Sequence, residues 1–569
     1  MKTYTYEDRL KEIRSTDADA MKQNDLAFME FYQKIKNLEG KLRNAGGKVV
    51  IVGDYDCDGI CSSYILKKMF PDAVVCLGDR YKYGYGIPTD LPVGENDLVI
   101  CTDVGTNDIN TLSMINKTLK ACPVVIDHHE FEVESMKKYK FILNFNKDGE
   151  KERRPDYCAT GLAYKLYEVD YRATHKDDEK ELNTVKAIAA IGTIADMVKV
   201  NNPYDDNRRI ILEGFDAMRN ADFDKDNFDE TLGYILDKCG ISENPYSITT
   251  DVIQMKVAPL FNSPSRMKQG GAMEFFNALT SPFLNERGQI VEKTVQDIDL
   301  LFELNKERIE RKKDAFNSPE YKEVLNDEHP IKVYVNDELP IGLNGLIASN
   351  LTELTGKPAI VFCKTPDGNY AGSGRNAAGY PSILETVKKA GINTLKLGGH
   401  DDAFGLTVAP EEMQGVIDRL HEYFKTVEHE DVELAVLDYT VKKGASAPVS
   451  FDEMMRLEPF GIDFPKIRVD FNAKLSEFGV KTADIKRENN PPEYRKFSVG
   501  GITYTTFSAG ERLKDLEDLD EPVHVAGELN INTYKDRKNY QVIFDVFEDE
   551  RVQQKQPVPE KNTDMPDFP

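Results

Sequence analysis

Short apolar runs alternate with helix-patterned stretches through the first half of the chain. Lys48–Val52, Ala73–Leu77, Leu98–Cys101 and Val124–Ile126 are continuous runs of the kind that a strand buried on both faces needs. Between them, Ser62–Phe70 and Ile109–Lys120 carry apolar residues at helical spacing. This alternation predicts an α/β unit: a parallel sheet with helices on both faces, and a ligand site at the carboxyl ends of the strands. A helical segment, residues 1–45, precedes it, with Leu26, Phe28, Met29, Phe31 and Tyr32 among charged positions. The unit itself is placed at residues 46–285. Within it the Ala/Ile-rich stretch Thr184–Met197 reads as a buried helix, and residues 201–235, rich in charge and Asn, as exposed segments.

The second half repeats the theme and then leaves it. Arg287–Phe316 keeps helical apolar spacing and lacks Gly or Pro after Gly288, which predicts a connecting helix within residues 286–325. At roughly 30 residues it would span about 45 Å, long enough to be a strut between domains. Residues 326–445 form a second, smaller α/β unit, with strands at Ile331–Val335 and Pro358–Phe362 and a helix at Asn344–Leu354. Residues 446–549 change to strand-like runs with turns at 488–492 and 535–538, which predicts a small β-barrel. The Gln/Pro/acid-rich residues 550–569 are expected to be a disordered acidic tail.

Composition narrows the classes. No apolar run approaches the ~18–20 residues that a membrane helix requires. The first nine residues hold no apolar core of a secretory signal, so the cytoplasm is the expected compartment. The eight cysteines form no C-x-x-C pair, which argues for small buried hydrophobes rather than a zinc site. A net charge of −25 argues against a general polyanion binder, yet leaves room for a local basic groove.

The chemistry is concentrated at the strand exits. Val49–Val52 runs into Gly53-Asp54-Tyr55-Asp56-Cys57-Asp58-Gly59. In an extended chain, residues two apart point to one side, so Asp54, Asp56 and Asp58 are expected to crowd together there. Like charges so placed repel, and a divalent cation removes the conflict. Asp103 follows the third apolar run, and Asp127-His128-His129 follows the fourth. Asp196 stands in the apolar stretch Gly192–Val198, where a buried carboxylate needs a partner. Oxygen-rich ligands with imidazole suit Mn²⁺ or Mg²⁺, and two such ions make a clamp for phosphoryl chemistry.

These four motifs, in order Asp54–Gly59, Thr102–Gly105, Asp127–His129 and Ala195–Val198, resemble those of the DHH phosphoesterase superfamily. Ser373-Gly374-Arg375 and Gly398-Gly399-His400 resemble the substrate-binding motifs of its DHH-associated domain. Ala258–Met267 and Leu457-Glu458-Pro459-Phe460-Gly461 are similar to stretches of the RecJ branch, the latter preceding its oligonucleotide-binding (OB) barrel. There are departures: Leu260 stands where that branch has Arg, Ser265 where it has Gly, and Ile462-Asp463 where it continues Gly-Asn.

The resemblance implies a fold and a set of roles. The fold is a parallel-sheet DHH domain, a long connecting helix, a smaller α/β DHH-associated domain and an OB-like barrel. Two Mn²⁺ or Mg²⁺ ions would be held by Asp54, Asp56, Asp58, Asp103, His128 and Asp196, with Asp103 bridging and Asp54 a ligand or a carboxylate behind the ligands. Catalysis would rest on Asp103, His128, His129 and Asp196. Substrate would meet His129, Asn262, Arg266, Ser373, Arg375 and His400, with Arg266, Ser373 and Arg375 on the 5′ phosphate. The barrel would grip DNA through Lys486, Arg487, Arg495, Lys496, Tyr534, Lys535, Arg537, Lys538 and Tyr540. The implied activity is a 5′-to-3′ exonuclease that hydrolyses single-stranded DNA to 5′ mononucleotides in repair and recombination. Its implied partners are single-stranded DNA and single-strand-binding or other repair proteins, with no membrane and a monomeric chain. The alternatives are a DHH phosphodiesterase of short oligonucleotides or cyclic dinucleotides, and a non-catalytic replication scaffold.

Overall fold

The computed structural model describes residues 5–547 apart from 132–135, 138, 147–152, 223–225, 242–247, 400, 431–437, 445, 486–493, 508, 535–536 and 545–546. The tail at 550–569 lies outside the described residues.

The first sheet has five parallel strands in the order β2 (Val74–Leu77), β1 (Val49–Gly53), β3 (Leu98–Thr102), β4 (Cys122–Ile126) and β5 (Ile142–Leu143). Every residue of β1 and β3 is buried, because side chains of alternate parity serve two different cores. Val49 and Ile51 face a large helical layer that includes Phe28, Ile60, Tyr164 and Ile188. Val50 and Val52 face a smaller one with Leu112 and Ile115 of the helix Ile109–Lys117.

Residues 201–235 differ from the exposed segments expected. Asn207–Arg219 is a helix whose Ile210, Ile211 and Phe215 are fully buried. Its charges sit on the opposite face, so composition hid an amphipathic helix. It packs on the helix Glu179–Ala195, and Gly214 makes that approach close: a Cβ there would lie 2.3 Å from Ala190 Cβ.

The connecting helix spans Glu292–Asn317, starting later than predicted because Leu284 and Ile290 first pair across a turn. Ile298 and Leu301 belong to the first domain's core and Ala315 to the second's, as a strut requires. The second domain holds a mixed sheet ordered β6 (Lys332–Val335), β7 (Ala359–Lys364), β8 (Tyr370–Arg375), β10 (Ala403–Val408) and β9 (Lys396–Gly399). The helix Asn344–Thr355 covers one face, and Ile383–Ala390 with Met413–Phe424 covers the other.

The C-terminal strands form two sheets rather than one closed barrel: three strands (β11 Tyr439–Thr440, β12 Arg468–Lys474, β16 Pro522–Glu528) and five (β13 Ala483–Asp484, β14 Arg495–Val499, β15 Ile502–Thr506, β18 Arg537–Ile543, β17 Asn530–Tyr534). They close on an aromatic core of Phe471, Phe497, Tyr504 and Phe544. That core is continuous with the first domain's helical layer. All eight cysteines are free, and six are buried. Among the described residues no helix is long and apolar enough to cross a membrane.

Because Gly214 leaves no room for a methyl group, we predict that Gly214→Ala lowers urea-unfolding stability by about 1–3 kcal/mol. An unchanged unfolding midpoint would mean that the two helices do not meet this closely.

Candidate metal centre and phosphate site

The first acidic motif is built by a strand-to-helix turn. Asp54 follows β1, while Asp56 caps the helix Cys57–Met69, accepting from the amides of Asp58 and Gly59, both at 3.1 Å. Asp58 already lies in the first helical turn. The three carboxylates therefore converge through the turn and not through strand alternation, as the sequence had suggested. The turn needs Gly59, since a Cβ there would lie 2.5 Å from Asp54 O. Asp58 is also tied to the start of the helix Ala159–Ala173, accepting from Ala159 N at 2.9 Å and Thr160 N at 2.8 Å.

Asp103 leaves β3 with φ of +59°, a conformation rare for a residue bearing a side chain. Asp196 closes the helix Glu179–Ala195, and Met197 after it has φ of +55°. His128 stands between these elements. Its Nε2 is 3.2 Å from Asp103 and 3.7 Å from Asp58, and its Nδ1 is 3.5 Å from Asp196. Atoms able to ligate a metal gather in three overlapping groups, each within 4.8 Å: Asp54, Asp56 and Asp103; Asp103, His128 and His129; Asp58, His128 and Asp196. All six residues expected to hold metal are thus brought together, with His129 beside them.

The electrostatics fit cations. Burial first, and then the charge of Asp56, push Asp54 well above the carboxylate range. Burial and the charges of Asp58, Asp56, Asp54 and Asp196 do the same to Asp103. Burial takes Asp196 up to about 8, although His128 opposes it. Burial would lower His128, but Asp196, Asp58 and Asp127 outweigh it and raise the imidazole to about 9. The buried Asp54 Oδ1 has no hydrogen-bond partner. Oxygen donors with imidazole, crowded and short of positive charge, are a donor set for Mn²⁺ or Mg²⁺.

Asp127 was part of the motif but had no assigned role. Fully buried, it accepts from Thr106 N, from the amides of His128 and His129, and from His129 Nδ1 at 2.7 Å. Burial would raise it, yet the His129 charge and these bonds hold it below the usual carboxylate range. An ionised acceptor at Nδ1 orients the His129 ring. The Tyr85 hydroxyl lies 3.1 Å from Nε2.

A positive wall adjoins this negative one. Burial and the charges of Arg80 and Arg308 depress Arg266 to about 9, with Asp56 opposing and Arg375 adding to the strain. Burial and Arg80 likewise depress Arg375. The buried Arg80 Nε has no partner, and its guanidinium stacks 4.2 Å from the Tyr55 ring centroid. Arg266 Nη1 donates to Gly342 O at 3.0 Å, and a Cβ on Gly342 would lie 2.3 Å from Arg266 Cα, so the two α/β domains touch here. Arg375 lies against Gly345 of the second domain, and Ser373 shares its strand face. Arg80 and Arg308 were missed by the sequence reading because nothing in the pattern links a Tyr/Gly-rich loop and a strut helix to Arg266.

The remaining expected contact residues stand as follows. Asn262 Oδ1 accepts from Cys57 N at 2.9 Å, so it braces the acidic turn. Leu260 is core. His400, Lys486, Arg487 and Lys535 lie outside the described residues, and Tyr534 and Arg537 pair across β17 and β18. Arg495 is bound to Asp484 at 2.8 Å, whereas Lys496 and Lys538 are exposed. Tyr540, expected to contact DNA, is instead core: it is 6% exposed, stacks on Phe451 and donates to Val449 O, so its ring is closed to a base.

Fold and site together define a DHH-family protein. The DHH family N-terminal domain matches residues 48–193, the DHHA1 domain 334–426 and the RecJ OB domain 437–545. With all three in that order, the chain belongs to the RecJ type of the DHH family. It is 25% identical over 523 residues to the single-stranded-DNA-specific exonuclease RecJ of Bacillus subtilis, covering 87% of this chain and 61% of that protein. The RecJ of Haemophilus influenzae is 23% identical over 537 residues, covering 88% of each chain. The crystal structure of Thermus thermophilus RecJ in complex with Mn²⁺ matches with a TM-score of 0.68 at 21% identity, over 91% of this chain and 70% of that one.

The pKa shifts predict how pH acts on the metal-free centre. His128 is raised above its ordinary value near 6.5, so it stabilises the fold below that pH and loses this as pH climbs through about 9. Asp196, raised to about 8, loses its contribution over the carboxylate-to-8 window, in the same direction. A cation takes the deprotonated groups, so Mn²⁺ should raise the melting temperature more at pH 8.5 than at pH 6, both within about the span of these two groups. Equal shifts at both pH values, or none, would contradict a metal centre built from these residues.

Proposed function

We propose that the protein is a single-strand-specific DNA exonuclease that works from the 5′ end with two divalent ions and releases 5′ mononucleotides in DNA repair and recombination. The observation that carries this is the meeting of two opposite charge excesses. Carboxylates that need cations stand beside guanidiniums that need an anion, and Asp56 faces both. A phosphodiester with a free terminal phosphate, together with metal ions, satisfies both walls. The RecJ OB domain favours a long strand over a cyclic dinucleotide. Action in the cytoplasm as a monomer, with single-strand-binding protein among its partners, belongs to the same reading.

In this mechanism Arg80, Arg266 and Arg375 hold the terminal phosphate, since planar guanidinium forks match its oxygens. Anchoring the end beside the carboxylates limits the product to a short unit. Asp54, Asp56, Asp58, Asp103, His128 and Asp196 would hold the two ions, with Asp103 among the residues common to two of the candidate ligand groups. When bound, the ions supply an acidified water and Lewis-acid stabilisation of the phosphoryl oxygens. His129, oriented by Asp127, presents Nε2 to an oxygen of the scissile phosphate. His400 is assigned to the same phosphate from the second domain.

We predict that Asp103→Ala lowers the cleavage rate by about 100-fold or more while the protein stays folded, as losing one key electrostatic group does. A variant that keeps a tenth of the wild-type rate would contradict the assignment. Arg375→Ala should erase most of the preference for a 5′-phosphorylated over a 5′-hydroxyl strand, measured by kcat/KM. The direct test follows strands labelled at either end in the presence of Mn²⁺: label at the 5′ end should leave at once as mononucleotide, and immediate loss of 3′ label would overturn the direction.

A further inference from the structure

Four residues beyond Asp196 the chain passes under the segment that opens the C-terminal domain. Val200 N donates to Asp463 Oδ1 at 2.8 Å and Asn201 N to Asp463 Oδ2 at 3.0 Å. One carboxylate therefore holds two consecutive amides of the Asp196 loop. The preceding amide, Lys199 N, is held by Asp156 at 2.8 Å, and Lys199 O accepts from Asn207 at 3.1 Å. Between Asp196 and Asn207 the loop has no helix or strand of its own, so these side chains supply what a ladder would.

The grip on Asp463 is itself built from three parts of the chain. Arg208 donates to the carbonyls of Leu457 and Glu458, both at 2.8 Å, and of Pro459 at 3.2 Å. Phe464, 1% exposed, lies between the guanidiniums of Arg208 at 5.3 Å and Arg9 at 5.7 Å. Arg9 pairs with Asp438 at 2.6 Å, and Asn201 Nδ2 donates to Glu12 O at 2.7 Å. Gly461 lies flat on Val200, where a Cβ would come within 3.0 Å of its side chain.

We propose that Asp463 is a positioning residue for the metal centre: by pinning Val200 and Asn201 it fixes the turn at Met197 and so the Asp196 carboxylate opposite His128. The inference rests on the metal reading of the site. Met197 is held at positive φ, which persists only where the surroundings impose it. Docking of the C-terminal domain and the geometry of the metal centre thereby become one linked equilibrium.

The test uses the full-length protein with Asp463→Asn and Asp463→Ala. Asparagine keeps one acceptor for the two amides and alanine keeps none. Mn²⁺ binding by titration calorimetry should weaken about 10-fold or more for Asp463→Ala, the usual scale for groups that orient ligands, and less for Asp463→Asn. Hydrogen exchange should accelerate at Val200 and Asn201, and kcat on a short oligonucleotide should fall with KM little changed. Wild-type affinity for Mn²⁺ in both variants would overturn the proposal, as would a loss confined to long-strand binding. If wild-type protein itself takes up no Mn²⁺, it is the metal reading that fails, and the exchange data alone report on the brace.

Discussion

The structure depends on one electrostatic constraint: four acidic elements end within a few ångströms of one another in a buried place. Asp54, Asp103 and Asp196 are each pushed above the carboxylate range, chiefly by burial and then by their neighbours. A fold does not hold such a group without a use for it, because each uncompensated buried charge is costly. Much of the surrounding architecture keeps these residues apart by the right amount. The helix Cys57–Met69 starts at Asp56, the helix Ala159–Ala173 starts on Asp58, and the backbone bends to positive φ at Asp103 and Met197.

The other domains complete the charge balance. The strut Glu292–Asn317 brings Arg308 toward Arg266, and the second sheet brings Arg375. The arginine cluster thus draws on the first domain, the connecting helix and the second domain, while the loop after Asp196 is held by Asp463 of the C-terminal segment. The C-terminal strands share one core with the first domain's helices, so this domain is a structural part of the first and not a tethered appendage.

Much was legible in the sequence because it was periodic or local. Continuous apolar runs gave β1, β3 and β4, and an acid just past each run marked carboxylates that the structure brings together. What was hidden lay in distance along the chain. Asp58 is held by amides 101 and 102 residues away, and Asp463 reaches 263 residues back to Val200. Arg80 carries no signal until Arg266 is beside it. Helix Asn207–Arg219 was hidden by its charged outer face, and Tyr540 looked available because a barrel's inward and outward aromatics read alike. Asp56 and Asp58 neighbour each other through a helix-capping turn, where the sequence pattern suggests alternation in a strand.

Anomalous diffraction at the manganese edge, from crystals grown with Mn²⁺, would locate the ions that these carboxylates hold. Two peaks are expected about 3.5–4 Å apart, the separation of a two-ion clamp, with Asp103 between them and His128 and Asp196 on one side. A single peak away from Asp103, or none, would contradict this expectation.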